Sequence, residues 1–295
     1  MHKPSAPPKD LAACAPPLET LRKPAFTLPE HACDTHAHVI SADFARYPLV
    51  DDRSYTPSPA PEQAYLAMLD SLGLHRGVLV QPSIYGTDNR YMLEVMQRHR
   101  QRLRGVAVVD EHVGDAALEH MHATGVRGVR FNVLFRGGVD LNSMERLAAR
   151  IAPLNWHVQF LIDVRHLDEL DSRLKKLPCP IVIDHMGHLP ASQGCQQQGF
   201  KTLCRNVAER GWWVKLSGAY RLCDSHPDYA EADRLARALI AQSVERMLWG
   251  SDWPHVALQR SPDTTLLLER LTRWVANEQQ LRQILTDNPA TLYDF

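Results

Sequence analysis

Along most of this chain, short apolar runs alternate with longer segments in which apolar residues recur at helical spacing. Eight runs read as strands: Cys33–Ile40, Gly77–Pro82, Arg104–Val109, Arg127–Val133, His157–Asp163, Ile181–His185, Trp213–Ser217 and Met247–Asp252. They are nearly continuous in apolar residues, the pattern of strands buried on both faces. Between them, Tyr65, Met68, Leu69 and Leu72 share one helical face, opened by Pro61 and closed by Gly73. Leu147, Ala148, Ile151 and Leu154 share another, as do Leu167, Leu170, Leu174 and Leu177. The same holds for Phe200, Leu203, Cys204 and Val207, and for Leu235, Ala236, Leu239 and Ile240. Alternation of strand and helix predicts parallel strands joined by right-handed crossovers. Eight units predict an α/β fold of the closed (β/α)8 TIM-barrel type. The competing open, doubly wound sheet lacks a glycine-rich phosphate loop after the first strand.

Residues 1–30 break the pattern. Pro4, Pro7, Pro8, Pro16, Pro17, Pro24 and Pro29 leave no room for a regular element. The expected organisation is a Pro-rich, irregular N-terminal arm (1–30) and a single barrel domain (31–295). The length of 295 residues suits a barrel of about 250 residues plus an extension.

Charge narrows the partners. Lys and Arg number 33 and Asp and Glu 34, a net charge of -1, so no general attraction to nucleic acid or to an anionic membrane is expected. No run is long and apolar enough to span a bilayer, and no signal-peptide core opens the chain, so a cytoplasmic location is expected. The six cysteines form no CxxC pair and read as free thiols. The 15 histidines do change the picture, because histidine is both a metal ligand and a proton carrier near neutral pH.

In a barrel, the chemistry lies at the C-terminal ends of the strands. The first run reads Asp34-Thr35-His36-Ala37-His38, with two histidines pointing the same way. The same alternation turns Cys33 away from His36. The second run leads to Ser83, the fourth carries Arg130 and Asn132, and Arg136 follows in a glycine-flanked loop. A guanidinium within a strand needs an anion, either a substrate carboxylate or a structural ion-pair partner. The sixth run ends Asp184-His185-Met186-Gly187-His188, the seventh leads to Arg221, and the eighth ends Gly250-Ser251-Asp252-Trp253-Pro254-His255.

DTHAH, DHMGH and GSDWPH, in this order, resemble the amidohydrolase superfamily. More narrowly they resemble its lactonase branch, which includes 2-pyrone-4,6-dicarboxylate lactonases and sugar-acid lactonases. The stretches GVLVQPSIYGTDN, GVRFN and DNPATLY extend the resemblance from about Cys33 to the end. The superfamily implies one or two divalent metals, held by the first-strand histidines, a fourth-strand Lys or Glu, fifth- and sixth-strand histidines and the last Asp. Here the fourth strand offers Arg130 and Asn132, and His157 stands at the entering end of the fifth. One zinc on His36, His38 and Asp252 is the alternative. The favoured expectation is a site without metal or other cofactor, because Arg130 places positive charge where a cation would bind.

The resemblance then implies a lactone hydrolase, a carboxylic ester hydrolase of aromatic-compound catabolism. Asp252 would be the general base for water, and His36, His38 and His185 would donate hydrogen bonds to the lactone carbonyl. Arg130, Arg136 and Arg221 would hold the carboxylates of a small anionic substrate of 2-pyrone-4,6-dicarboxylate type, with Tyr55 and Ser83 beside it. The rival readings are a galactarate or glucarate lactonase, a lactone isomerase, a zinc-dependent amidohydrolase or decarboxylase, and an acid-binding protein. The oligomeric state is not legible in the sequence.

Overall fold

The computed structural model describes residues 13–135, 139 and 141–295. The eight strands are β1 (Cys33–Ala37), β2 (Arg76–Val80), β3 (Leu103–Ala107), β4 (Val126–Asn132), β5 (His157–Leu161), β6 (Ile181–Ile183), β7 (Trp213–Leu216) and β8 (Met247–Trp249). Each pairs in parallel with the next, in the order of the chain. Helices lie between them, including Glu62–Leu72, Met144–Ile151, Leu167–Leu174, Gln198–Arg210 and Asp233–Ile240 at the five apolar faces read from the sequence. Helices Arg90–Arg98 and Asp115–Thr124 follow β2 and β3. This is the (β/α)8 barrel that the alternation predicts.

The barrel is closed by the segment just beyond β8. His38 N–H donates to the carbonyl of Trp253 (2.8 Å), and Asp252 N–H donates to that of His36 (2.8 Å). Thr35 Oγ1 donates to the carbonyl of Trp249 on the same seam. Gly250 makes this approach possible. A Cβ there would lie 2.6 Å from the Cβ of His36, closer than carbon atoms pack. The closure of the barrel therefore sets Asp252 beside the histidine pair.

Two apolar layers hold the frame. Residues on the outer faces of the strands, among them Leu79, Val129, Phe131, Phe160 and Trp249, pack under the helices. A second cluster, with Val78, Val80, Val106, Val182, Leu248 and Tyr293, fills the lower interior. Cys33 belongs to this second cluster, contrary to the alternation argument. The register of β1 against β2 shifts between Asp34 and Ala37, and a bulge of this kind breaks the two-residue period. Cys33 and His36 thus both face inward.

The described part of the arm, from Ala13 to Glu30, lies on the barrel and has no helix. Cys14 N–H donates to the carbonyl of Thr56, Ala15 N–H to that of Leu258, and Leu21, Phe26 and Leu28 pack against the core. Arg22 pairs with Glu269. Among the described residues no helix is long and apolar enough to cross a membrane.

Candidate active site

Two carboxylates organise the mouth of the barrel. Asp184 follows β6 and Asp252 follows β8, and both are fully buried. The observed strands stop before these residues, so the last positions of the sixth and eighth predicted runs belong to turns. In those turns His185 (φ 50°) and Asp252 (φ 61°) adopt the left-handed backbone region. Non-glycine residues enter that region at a cost, and such strain concentrates at functional sites. Here it swings both side chains back over the strand ends.

Asp252 has two unlike oxygens. Oδ2 accepts from Tyr220 Oη (2.6 Å) and from Arg221 Nε (2.6 Å). Oδ1 is buried and has no hydrogen-bond partner among the described residues. Three imidazoles face this carboxylate with their Nε2 atoms. His36 and His38 stand 3.9 Å and 3.8 Å from Oδ1, and His185 stands 3.7 Å from Oδ2. Burial alone would raise the pKa of Asp252. The Arg221 guanidinium beside it overrules this and holds the carboxyl well below the ordinary range.

The histidines stay neutral. Burial pushes His185 down to about 3 and His38 to about 4, and it holds His36 well below the ordinary imidazole value. Each ring is aimed by its other nitrogen. His38 Nδ1 lies 2.7 Å from the carbonyl oxygen of Val80, which can only accept. The ring proton of neutral His38 is therefore on Nδ1, and its Nε2 presents a lone pair to the mouth. In this tautomer His38 meets the mouth as an acceptor, where the sequence reading has it donate to the substrate carbonyl. His185 Nδ1 meets Ser217 Oγ at 2.8 Å. His36 Nδ1 lies 3.3 Å from both Lys215 Nζ and Asp184 Oδ1.

Arg130 has a structural partner. Its Nε and Nη2 sit 3.0 Å from Asp184 Oδ2, a buried ion pair that leaves Nη1 for another acceptor. Gln159 Nε2 donates to the same oxygen (3.1 Å). Arg221 is likewise committed, to Asp252 Oδ2 and to the carbonyl of Val256. It is thus an anchor of Asp252, and it also lines the recess where the sequence reading expects a substrate carboxylate. Tyr55, Ser83, Arg130, Asn132, His38, His185, Arg221 and Asp252 line one recess. Ser83 Oγ is buried there without a partner among the described residues. Asn132 Oδ1 accepts from Leu134 and Phe135 N–H and shapes the loop that follows. Arg136 lies outside the described residues.

Three groups escaped the sequence reading. Tyr220, which holds Asp252, sits in a short helix (Ala219–Leu222) with no periodic signal. Asp184 was visible as a strand-end residue but had no assigned part. Lys215 is fully buried on β7. Its inward position could have been read from alternation with Trp213 and Ser217.

His36, His38 and Asp252 offer ligand atoms close enough together to share a cation. The charge of the surroundings argues the other way. Arg130 and Arg221 line the same recess, paired with Asp184 and Asp252, and set positive charge beside those atoms. A dication there would meet both guanidiniums in a medium of low dielectric, whereas a small anion would be attracted by them. The donor set fits a metal in shape, with two guanidiniums set against its charge.

The chain is similar to several known proteins. A 2-pyrone-4,6-dicarboxylate hydrolase of Comamonas testosteroni is 35% identical over 284 residues, covering 92% of each chain. A 4-sulfomuconolactone hydrolase of Hydrogenophaga intermedia is 32% identical over 286 residues, covering 95% of this chain and 94% of its own. The crystal structure of a probable 2-pyrone-4,6-dicarboxylic acid hydrolase from Acinetobacter baumannii, with citric acid bound, superposes with a TM-score of 0.81 at 28% identity. It covers 90% of this chain and 100% of its own. The amidohydrolase family profile matches residues 33–295. With its paired histidines, its sixth-strand histidine and its closing aspartate gathered at one barrel mouth, the chain belongs to the amidohydrolase family.

Proposed function

We propose that this protein opens the ring ester of a small lactone bearing acid groups, of the 2-pyrone-4,6-dicarboxylate type, by attack of water and without a metal. The observation that carries the reading is the asymmetry of Asp252. One oxygen is fixed by Tyr220 and Arg221, and the other is buried and unpartnered beside two imidazole nitrogens. A carboxylate held this way is a positioned base.

Asp252 Oδ1 and His38 Nε2 are both acceptors, 3.8 Å apart. A water donating one hydrogen to each keeps a lone pair free for the lactone carbonyl carbon. As the carbon–oxygen bond forms, one proton passes to Asp252 Oδ1. His36 and His185 are the groups placed to donate to the carbonyl oxygen as it gains charge. When the ring C–O bond breaks, the ring oxygen takes the proton from Asp252, giving a hydroxyl and a carboxylic acid that releases its remaining proton to solvent at neutral pH.

A carboxylate held far below its ordinary pKa is a weak base. An anionic substrate relieves this. Its charge beside Arg130 and Arg221 offsets their pull on Asp252 and raises its basicity as the complex forms. The two guanidiniums in the recess, Arg130 and Arg221, support the acid groups on the substrate, and Arg130 Nη1 and Ser83 Oγ are the groups placed to meet them. The names of the two lactone hydrolases and the tricarboxylate held by the Acinetobacter protein support the same class.

The test is hydrolysis of 2-pyrone-4,6-dicarboxylate and of 4-sulfomuconolactone by purified protein, before and after exhaustive chelation, with products identified. Turnover to the ring-opened acid at an unchanged rate is expected. Loss of activity on chelation with recovery on zinc addition would refute the metal-free reading. A rearranged lactone as product would make the protein an isomerase.

A further inference from the structure

The mechanism above requires a proton on one imidazole nitrogen at the mouth and a lone pair on another. Val80 fixes the second case, on His38. The first is decided beneath His36. We infer that Lys215 is a positioning residue that sets the tautomer of His36, donating from Nζ to Nδ1 and thereby keeping the ring proton on Nε2. The inference concerns the site of the proposed lactonase and rests on that reading for its catalytic meaning.

The geometry is specific. Lys215 Nζ donates to the carbonyl of Thr35 at 2.8 Å and reaches His36 Nδ1 at 3.3 Å. An ammonium has donors only, so the nitrogen it reaches must offer a lone pair. Asp184 Oδ1 is equally near that nitrogen but has no hydrogen-bond partner among the described residues. Asp184 is already engaged through Oδ2 by Arg130 and Gln159. It balances the ammonium through space, 3.9 Å away.

Residue chemistry points the same way. Lys215 lies on β7 between Val214 and Leu216, inside the barrel, where an aliphatic side chain would fill the space without a desolvation cost. Burial lowers its pKa to about 8, so near neutral pH it keeps its proton and its donor character. The two histidines of the first strand then hold opposite tautomers. His36 is a donor at Nε2 and serves the carbonyl oxygen. His38 is an acceptor at Nε2 and serves the water. The same proton removes His36 Nε2 from the set of atoms able to ligate a cation.

The experiment is long-range proton–nitrogen correlation of the histidine rings in isotope-labelled protein, for the wild type and Lys215→Met. The expected wild-type pattern is His36 unprotonated at Nδ1 and protonated at Nε2, with His38 the reverse. In Lys215→Met, His36 should switch to the Nδ1–H form facing Asp184, while His38 is unchanged. A wild-type His36 carrying its proton on Nδ1 overturns the inference, and so does a Lys215→Met spectrum with the His36 tautomer unaltered. The wild-type spectrum decides the matter even if the variant does not fold. With an active lactonase, Lys215→Met should lower kcat about tenfold or more while KM changes little. Absence of lactonase activity would sink the proposed function but leave the tautomer measurement valid.

Discussion

Arg221 Nε lies 2.6 Å from Oδ2 of Asp252, and Tyr220 Oη meets the same oxygen at the same distance. Neighbours in sequence on the turn after β7 thus clamp a residue that follows β8. The clamp leaves a single free oxygen on Asp252, and several consequences can be measured.

Asp252→Asn keeps the shape of the clamp and removes the base. Turnover should fall about a thousandfold, while binding of the lactone, followed by calorimetry, persists. A variant retaining a tenth of wild-type kcat would rule out Asp252 as the base.

Tyr220→Phe removes one donor from Asp252 Oδ2. The carboxyl pKa should rise, because hydrogen bonds to the charged form are what lower it. The base works only when ionised, so the acidic limb of kcat/KM against pH should move to higher pH. A limb that stays in place would show that Tyr220 does not tune Asp252.

Arg130→Met leaves Asp184 buried without its guanidinium. Breaking one side of such a pair costs about 3–5 kcal/mol. Denaturant unfolding should report a loss of that order, together with a raised KM. A raised KM at full stability would mean that Arg130 serves the substrate alone.

Stability should fall in mild acid. His38, His157, His185 and His255 are buried, with pKa values pushed down to about 3 or 4. Their contribution is complete above the unfolded histidine value and is lost as pH falls from about 6.5 toward 4, because the unfolded chain takes up protons first. Each costs about 2 kcal/mol by pH 5. Asp34, raised by burial to about 6, acts in the opposite sense, gaining stability as it protonates, but it is one group against four. Thermal melts at pH 7 and pH 5 should differ clearly in Tm. Equal values would mean that these rings are not neutral in the fold.

The periodicity of the chain was enough to locate all eight strands, because buried parallel strands need continuous apolar runs whatever lies around them. His36, His38, His185 and Asp252 were legible as candidates because barrel chemistry sits at strand ends. Their convergence was not legible. His36 and Asp252 are far apart in the chain and meet only because the segment after β8 closes the barrel against β1. Cys33 was misplaced because a bulge shifts the period by one residue and leaves no composition signal.

Local patterns of polarity were therefore enough for the architecture and for the strand-end histidines and Asp252, but not for Tyr220, Asp184 or Lys215. The tertiary structure alone decided how those groups divide their work. Arg221 became an anchor of Asp252, Arg130 became the partner of Asp184, and His38 became an acceptor through the carbonyl of Val80. A hydrogen bond depends on distances of a few tenths of an ångström between residues remote in sequence. Only the folded barrel specifies such distances.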